Sequence, residues 1–287
     1  MTTIAPPSAP PPLTPGNRTA LRALLVVAAS VLVVASVAAL GFAAFGIASL
    51  RVSTDGKDLP GDMRSLVVDA SDVSVHVASD PKATAPRADL RTVGSSRGVR
   101  PALEVTTDAG ETRIRVTPDS GHVVDFGGPG DLKITLPPAL AATLSVTAQQ
   151  DDGTLTVDAN LDRLVARSAD GDVVLNGAVH VVDVTARDGD VVARKPLSVT
   201  ESLTVESVDG DVALAFADPA PRRITATTNS GDVAITLPPA GPYLVRTRSG
   251  DATSVDVPET TDPARAASEV TVRSDDGSVS VDARRHG

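Results

Sequence analysis

The chain has 287 residues, a net charge of −10, neither cysteine nor tryptophan, and aromatic residues at only 2%. Without cysteine there is no disulfide framework, thiolate metal site or thiol nucleophile, and the acidic balance argues against nucleic acid or anionic headgroups as partners. The core must be layered from Val, Leu, Ile and Ala, which repetition permits because each layer fits only its neighbours.

In chain order, residues 1–22 carry Pro6, Pro7, Pro10, Pro11, Pro12 and Pro15. They read as a disordered, polyproline-like cytoplasmic tail, with Pro7-x-x-Pro10 as a potential ligand spacing for a proline-recognising partner. Ala23 to Leu50 is uncharged and rich in Ala, Val and Leu, longer than the roughly 20 residues that cross a bilayer as a helix. Arg18 and Arg22 precede it, and all 36 acidic residues lie beyond it. The positive side stays in the cytoplasm, so residues 23–50 are expected to be a single membrane anchor holding an extracytoplasmic C-terminal part. A cleavable signal peptide is the alternative, with small residues near Ala48 as a cleavage site; the apolar stretch is long for one.

Residues 51–62 read as a linker and 63–285 as a β-strand-repeat ectodomain. Alternation begins at Leu66 and Val68 and continues at Val73, Val75 and Val77, around a glycine-less Ser71-Asp72 corner. Residues 79–101 break the pattern with Pro and Gly and are expected to form a loop or irregular cap. A degenerate repeat follows, with Leu103, Val105, an Ala109-Gly110-Glu111 corner, Ile114 and Val116, and then a second Gly/Pro-rich excursion from Asp119 to Gly130.

From Leu132 the series is regular. Corner glycines stand at Gly153, Gly171, Gly189, Gly210, Gly231, Gly250 and Gly277, a period of about twenty residues that marks stacked repeats. Six residues before each corner Asp or Ser are Val146, Leu164, Val182, Leu203, Ile224, Tyr243 and Val270. Three after it are Leu155, Val173, Val191, Val212, Val233, Ala252 and Val279. Period-two alternation held in register across copies means one buried and one wet face. Leu132 to Pro138 and Val233 to Pro239 are near duplicates ending in Leu-Pro-Pro; proline lacks a ladder donor, so both pairs belong at strand ends or corners. Two architectures fit. A single-stranded parallel β-solenoid, β-helix-like, stacks like on like, whereas an antiparallel meander would use each Asp-Gly as a hairpin turn. The apolar identity at matching offsets favours the all-β solenoid.

Serial Ser/Asp-Gly-Asp-Val corners, strands ending in Leu-Pro and an N-terminal anchor together resemble the "putative adhesin" family of bacterial β-strand-repeat proteins, over roughly Leu66 to Val281. The resemblance implies a bacterial, membrane-anchored domain of unknown molecular function, and no catalytic residues carry over from it.

The sharpest chemical idea is calcium at the corners. Asp170, Asp188 and Asp209 would form one carboxylate column, and Asp172, Asp190 and Asp211, followed by Asp232 and Asp251, a second. Two charges about 4.8 Å apart repel by about 0.9 kcal/mol in water, which a divalent cation would relieve. The simpler account is a turn in which Asp accepts backbone N–H groups and Gly supplies positive φ; Ser230 and Ser249 replace the first Asp without loss of pattern. Histidines 76, 122, 180 and 286 are isolated and build no nucleophile elbow or ligand pair. Phe126, Phe216 and Tyr243 are too few for carbohydrate stacking. The sequence therefore points to a non-catalytic protein without a cofactor, a structural or adhesin-like surface meeting an envelope protein or polymer. Its alternatives are an envelope-stress sensor signalling through the anchor and a calcium-binding repeat.

Overall fold

The computed structural model describes residues 32, 36, 50–95, 102–117 and 130–284. The expected tail, most of the expected anchor, His122, Phe126 and His286 lie outside them. The chain divides into two units, Met1–Leu50 and Arg51–Gly287. In the first, Leu32 and Ser36 are helical, with Ser36 Oγ donating to the Leu32 carbonyl at 2.8 Å. Among the described residues no helix is long and apolar enough to cross a membrane.

The second unit is all-β, in two sheets. In chain order come β1 (Leu50–Asp58), β2 (Ser65–Ala70), β3 (Val73–Ser79), β4 (Arg87–Ser95), β5 (Ala102–Asp108), β6 (Glu111–Thr117) and β7 (Gly130–Leu136). A short helix α1 (Pro138–Ala141) leads to β8 (Ser145–Asp152), β9 (Leu155–Asp158), β10 (Leu161–Asp170), β11 (Val173–Asn176), β12 (Ala178–Asp188) and β13 (Val191–Ala193). Then follow β14 (Ser198–Asp209), β15 (Val212–Ala215), β16 (Arg223–Ser230), β17 (Val233–Leu237), β18 (Tyr243–Arg248), β19 (Thr253–Asp256), β20 (Ser268–Asp276) and β21 (Val279–Ala283). The segment read as a linker is thus mostly β1, and the expected anchor gives way to strand at Leu50; Val52 and Thr54 alternate in β1, which pairs β4 at a sheet edge.

One sheet runs β1-β4-β7-β3-β9-β11-β13-β15-β17-β21-β19 and the other β18-β20-β16-β14-β12-β10-β8-β2-β6-β5. Each coil is therefore two-stranded, one strand from each sheet; from β8 onward a longer strand of the second sheet turns at an Asp-Gly or Ser-Gly corner into a shorter strand of the first. The coils pair in parallel and in register, Leu164 with Val146 and Val182, and Ala166 with Ala148 and Val184. Those side chains are at most 2% exposed and belong to one continuous core cluster. Burying each Val or Leu contributes about 1.5–3 kcal/mol, so the column is the main source of stability.

Stacking does not follow chain order at either end. The β2/β3 coil lies between β6/β7 and β8/β9, and β20/β21 lies between β16/β17 and the terminal coil β18/β19. Each time the chain must skip one coil it does so just after Leu-Pro-Pro: Leu136 to Pro138 before β8, and Leu237 to Pro239 before β18. The prolines end the ladder where the chain must leave its neighbour. After the second skip, Tyr243 is fully buried and its hydroxyl donates to the Pro238 carbonyl at 2.6 Å, tying the crossing to the core.

Three expectations need correction. Ala109-Gly110 is not a solenoid corner but the two-residue turn of an antiparallel β5–β6 hairpin; both residues have positive φ (48° and 86°), the geometry of a tight hairpin. The expected loop or cap at residues 79–101 contains β4, which pairs antiparallel with β7. In the terminal coil the register differs from the alignment by glycines: Val245, not Tyr243, faces Val270, and Thr253, not Ala252, faces Val279. The cause is a shorter corner. Gly250 lacks the positive φ of Gly153, Gly171, Gly189, Gly210, Gly231 and Gly277, and Ser249 Oγ closes the turn by donating to the Gly277 carbonyl at 2.6 Å.

Candidate functional site

The corners place the expected carboxylates in two columns with different chemistry. The second is a hydrogen-bond ladder. The Asp190 N–H donates to Asp172 Oδ1 (3.0 Å), Asp211 N–H to Asp190 Oδ1 (2.9 Å), Asp232 N–H to Asp211 Oδ1 (2.8 Å) and Ser278 N–H to Asp232 Oδ1 (2.8 Å). Each carboxylate binds the amide of the next coil in space, so the ladder jumps from Asp232 to Ser278 where β21 is intercalated. Asp251 stands apart from it, its N–H donating to Ser249 Oγ at 3.1 Å.

The first column runs Asp152, Asp170, Asp188, Asp209, Ser230 and Asp276 in register. Desolvation at the packed corner, followed by the hydrogen bond and charge of Asp170 and the charge of Asp209, raises the pKa of the Asp188 carboxyl above its ordinary value, with Arg187 opposing. The structure thus sets Asp170, Asp188 and Asp209 side by side, and Asp172, Asp190 and Asp211 likewise. Among the described residues no three His, Cys, Asp or Glu side chains form a group that could hold a metal ion.

Sequence reading passed over the polar column just inside the corners. Ser168 Oγ donates to the Gly171 carbonyl (2.9 Å), Ser274 Oγ to that of Gly231 (2.8 Å), and Thr228 Oγ1 to that of Gly210 (3.2 Å). Its signal was the recurrence of Ser and Thr two residues before most corners, at Ser168, Ser207, Thr228, Thr247 and Ser274, with Ala186 at one. Gln150 breaks the series: it is 2% exposed, and neither amide atom finds a partner among the described residues.

Elsewhere, His180 Nδ1 lies 2.6 Å from Thr200 Oγ1 on an exposed surface, and His76 sits between Lys133 and Thr156 in register. Phe216 and Tyr243 are fully buried and unavailable for ligand stacking. At the β1 end, an open groove of 380 Å³ is lined by Asp58, Asp80, Lys82 and Arg87 among others. Arg87 there is already engaged with Asp58 (2.9 Å) and Asp89 (2.8 Å).

The outer faces of the two sheets differ. One presents Arg163, Arg167, Thr185, Glu206 and Thr227, a charged and hydroxylated surface. Across the other, a central row runs Thr156, Val174, Val192, Ala213, Ala234 and Ser280, small and uncharged, with Val174 itself buried.

Residues 134–282, more than half of the chain, match the family model Toastrack DUF4097. The chain belongs to the Toastrack DUF4097 family. The matched span begins in β7 and reaches β21, so it takes in both Leu-Pro-Pro skips and the corner glycines from Gly153 to Gly277. No curated protein matches the chain. Among solved structures, a putative adhesin from Parabacteroides merdae is 12% identical with a TM-score of 0.49, covering 80% of this chain and 96% of that one. A putative cell adhesion protein from Clostridium sporogenes is 8% identical with a TM-score of 0.40, covering 82% and 100%. A putative lipid binding protein from Parabacteroides distasonis is 12% identical with a TM-score of 0.44, covering 79% and 96%. At identities this low and TM-scores below 0.5, these names describe those proteins only.

Proposed function

We propose that this Toastrack protein is a non-catalytic component of the bacterial cell envelope, anchored through residues 23–50, whose β-solenoid unit is an extracytoplasmic interaction surface. The observation that supports it most is topological: the chain enters the stack at β1, at one end, and the terminal coil β18/β19 lies at the other. Within the β unit, a stack entered at one end leaves its opposite end and its two sheet faces available to partners. The uncharged stretch behind Arg18 and Arg22, the absence of acid before it and the cysteine-free acidic unit after it agree with this reading. The corner aspartates serve the fold in it, since one oxygen of Asp172, Asp190, Asp211 and Asp232 is committed to a backbone amide.

Alkaline carbonate extraction of cell membranes, with protease treatment of intact cells and of lysate, tests the reading. The protein is expected to stay with the membrane and to be digested from outside. Release by carbonate, or protection until lysis, would overturn it. Deleting residues 1–16 leaves a surface scaffold working and silences a protein that reports inward through its tail.

A further inference from the structure

The terminal coil ends the stack with an edge that other elements leave half open. At its start, Tyr243 N–H donates to the Pro258 carbonyl (2.8 Å) and Thr260 N–H donates to the Tyr243 carbonyl (2.8 Å), with a parallel bridge between Tyr243 and Glu259. Residues 258–260 thus begin a further strand on β18 and then turn away, Asp262 N–H meeting Thr260 Oγ1 at 3.2 Å. Because successive residues of a strand point their backbone groups to alternate sides, Val245 and Thr247 direct N–H and C=O the same way as Tyr243. β18 is the last strand of its sheet, so beyond Tyr243 that side has no neighbouring strand among the described residues.

The side chains beside this edge are cationic. Arg246 and Arg248 are exposed on the outer face of β18, and among the described residues neither guanidinium group has an ion pair or hydrogen bond, although both backbones lie in the ladder with β20. Their neighbours behave differently: Arg273 holds Asp275 at 2.7 Å, and Arg223 faces Glu269 at 4.0 Å. In a chain of net charge −10, two guanidinium groups without a side-chain partner flank open backbone donors and acceptors. Two arginines spaced two residues apart match carboxylates at alternate positions of an incoming strand.

We propose that the open edge of β18 is a docking site for an extended acidic segment of a partner protein, which adds as a strand beside Val245 and Thr247 and sets alternate carboxylates against Arg246 and Arg248. Backbone bonding supplies the attachment, and the arginines choose acidic over basic segments. The proposal rests on the reading of the unit as an interaction surface, but its test is independent of where the protein resides.

The test uses the full chain in detergent micelles and a fluorescent octapeptide of alternating glutamate and valine, read by anisotropy and by amide exchange over residues 243–248. Saturable binding with slowed exchange at Val245 and Thr247 is expected, with at least a tenfold loss in the Arg246→Ala/Arg248→Ala double variant and recovery in the corresponding double lysine variant. The same peptide N-methylated at every residue, and a lysine-valine octapeptide, are expected not to bind. Absence of binding at millimolar peptide, undiminished binding by the alanine variant, or equal binding of the N-methylated peptide would overturn the proposal. So would dextran sulfate binding as tightly as the peptide, since the patch would then recognise polyanions and not a strand. Comparison of melting temperatures establishes that the exposed substitutions leave the fold intact.

Discussion

At the scale of single residues, the two aspartates of a corner do opposite things. Asp211 accepts the Asp232 amide, and an asparagine could do the same through its side-chain carbonyl. Asp211→Ala should therefore cost about 1 kcal/mol by urea denaturation while Asp211→Asn costs much less. Equal losses would show that charge, not acceptance, is what matters there. Asp188 is disfavoured as an anion: its side chain is exposed, but desolvation at the packed corner, and then the neighbouring carboxylates Asp170 and Asp209, raise its pKa. A carboxyl with a raised folded pKa favours folding more as pH falls through that value, and penalises it above. Asp188→Asn should raise the melting temperature at neutral pH, and the gain should vanish by about pH 3, where the unmodified carboxyl is neutral in both states. A gain that persists at low pH would point to packing instead.

At the scale of elements, the corner is the unit that repeats and the one that tolerates least. Gly210 has φ of 139°, and a Cβ there would fall 2.2 Å from the Gly189 carbonyl oxygen of the coil below. Gly210→Ala should lose more than about 2 kcal/mol, whereas Gly61→Ala, where a Cβ meets nothing within 4 Å, should stay within about 0.5 kcal/mol. Similar small losses at both would mean the coils stack more loosely than described. These corners were legible because glycine spacing, period-two alternation and the Val/Leu/Ala columns all report one local geometry. Ala109-Gly110 looked like another corner because the dipeptide alone does not say whether the strands it joins run in one sheet or cross between two. Gly250 misled alignment for a related reason: Ser249 closes that turn, and the register then follows side-chain packing of Val245 on Val270. In the candidate site, the carboxylate columns were visible from spacing, but not the direction of each Oδ1, which depends on the amide of a different coil. Nor could Arg246 and Arg248 be singled out, since their lack of partners is a property of the terminal position.

At the scale of the whole molecule, the unit is a parallel stack whose two ends are woven out of chain order. The duplicated Leu-Pro-Pro segments could be seen in the sequence as strand ends, but that each precedes a skipped coil is a matter of which strands lie beside which. The C-terminal coil β20/β21 is consequently an interior layer, bonded to β16/β17 on one side and β18/β19 on the other. Removing residues 268–287 should unfold the terminal coil with it, since β18 and β19 would lose their only described sheet neighbours; amide exchange over residues 243–256 would report this as full loss of protection, and retained protection would deny the intercalation. The most direct measurement uses the absence of native cysteine. Thr236 faces Asp282 in register, and Asp282 faces Asp256, so Thr236 and Asp256 are two strands apart, about 9.6 Å. A disulfide needs Cα atoms about 4.4–6.8 Å apart. Under mild oxidation, Thr236→Cys/Asp282→Cys should cross-link rapidly and Thr236→Cys/Asp256→Cys should not. The reverse result would put the coils in chain order and contradict the stack.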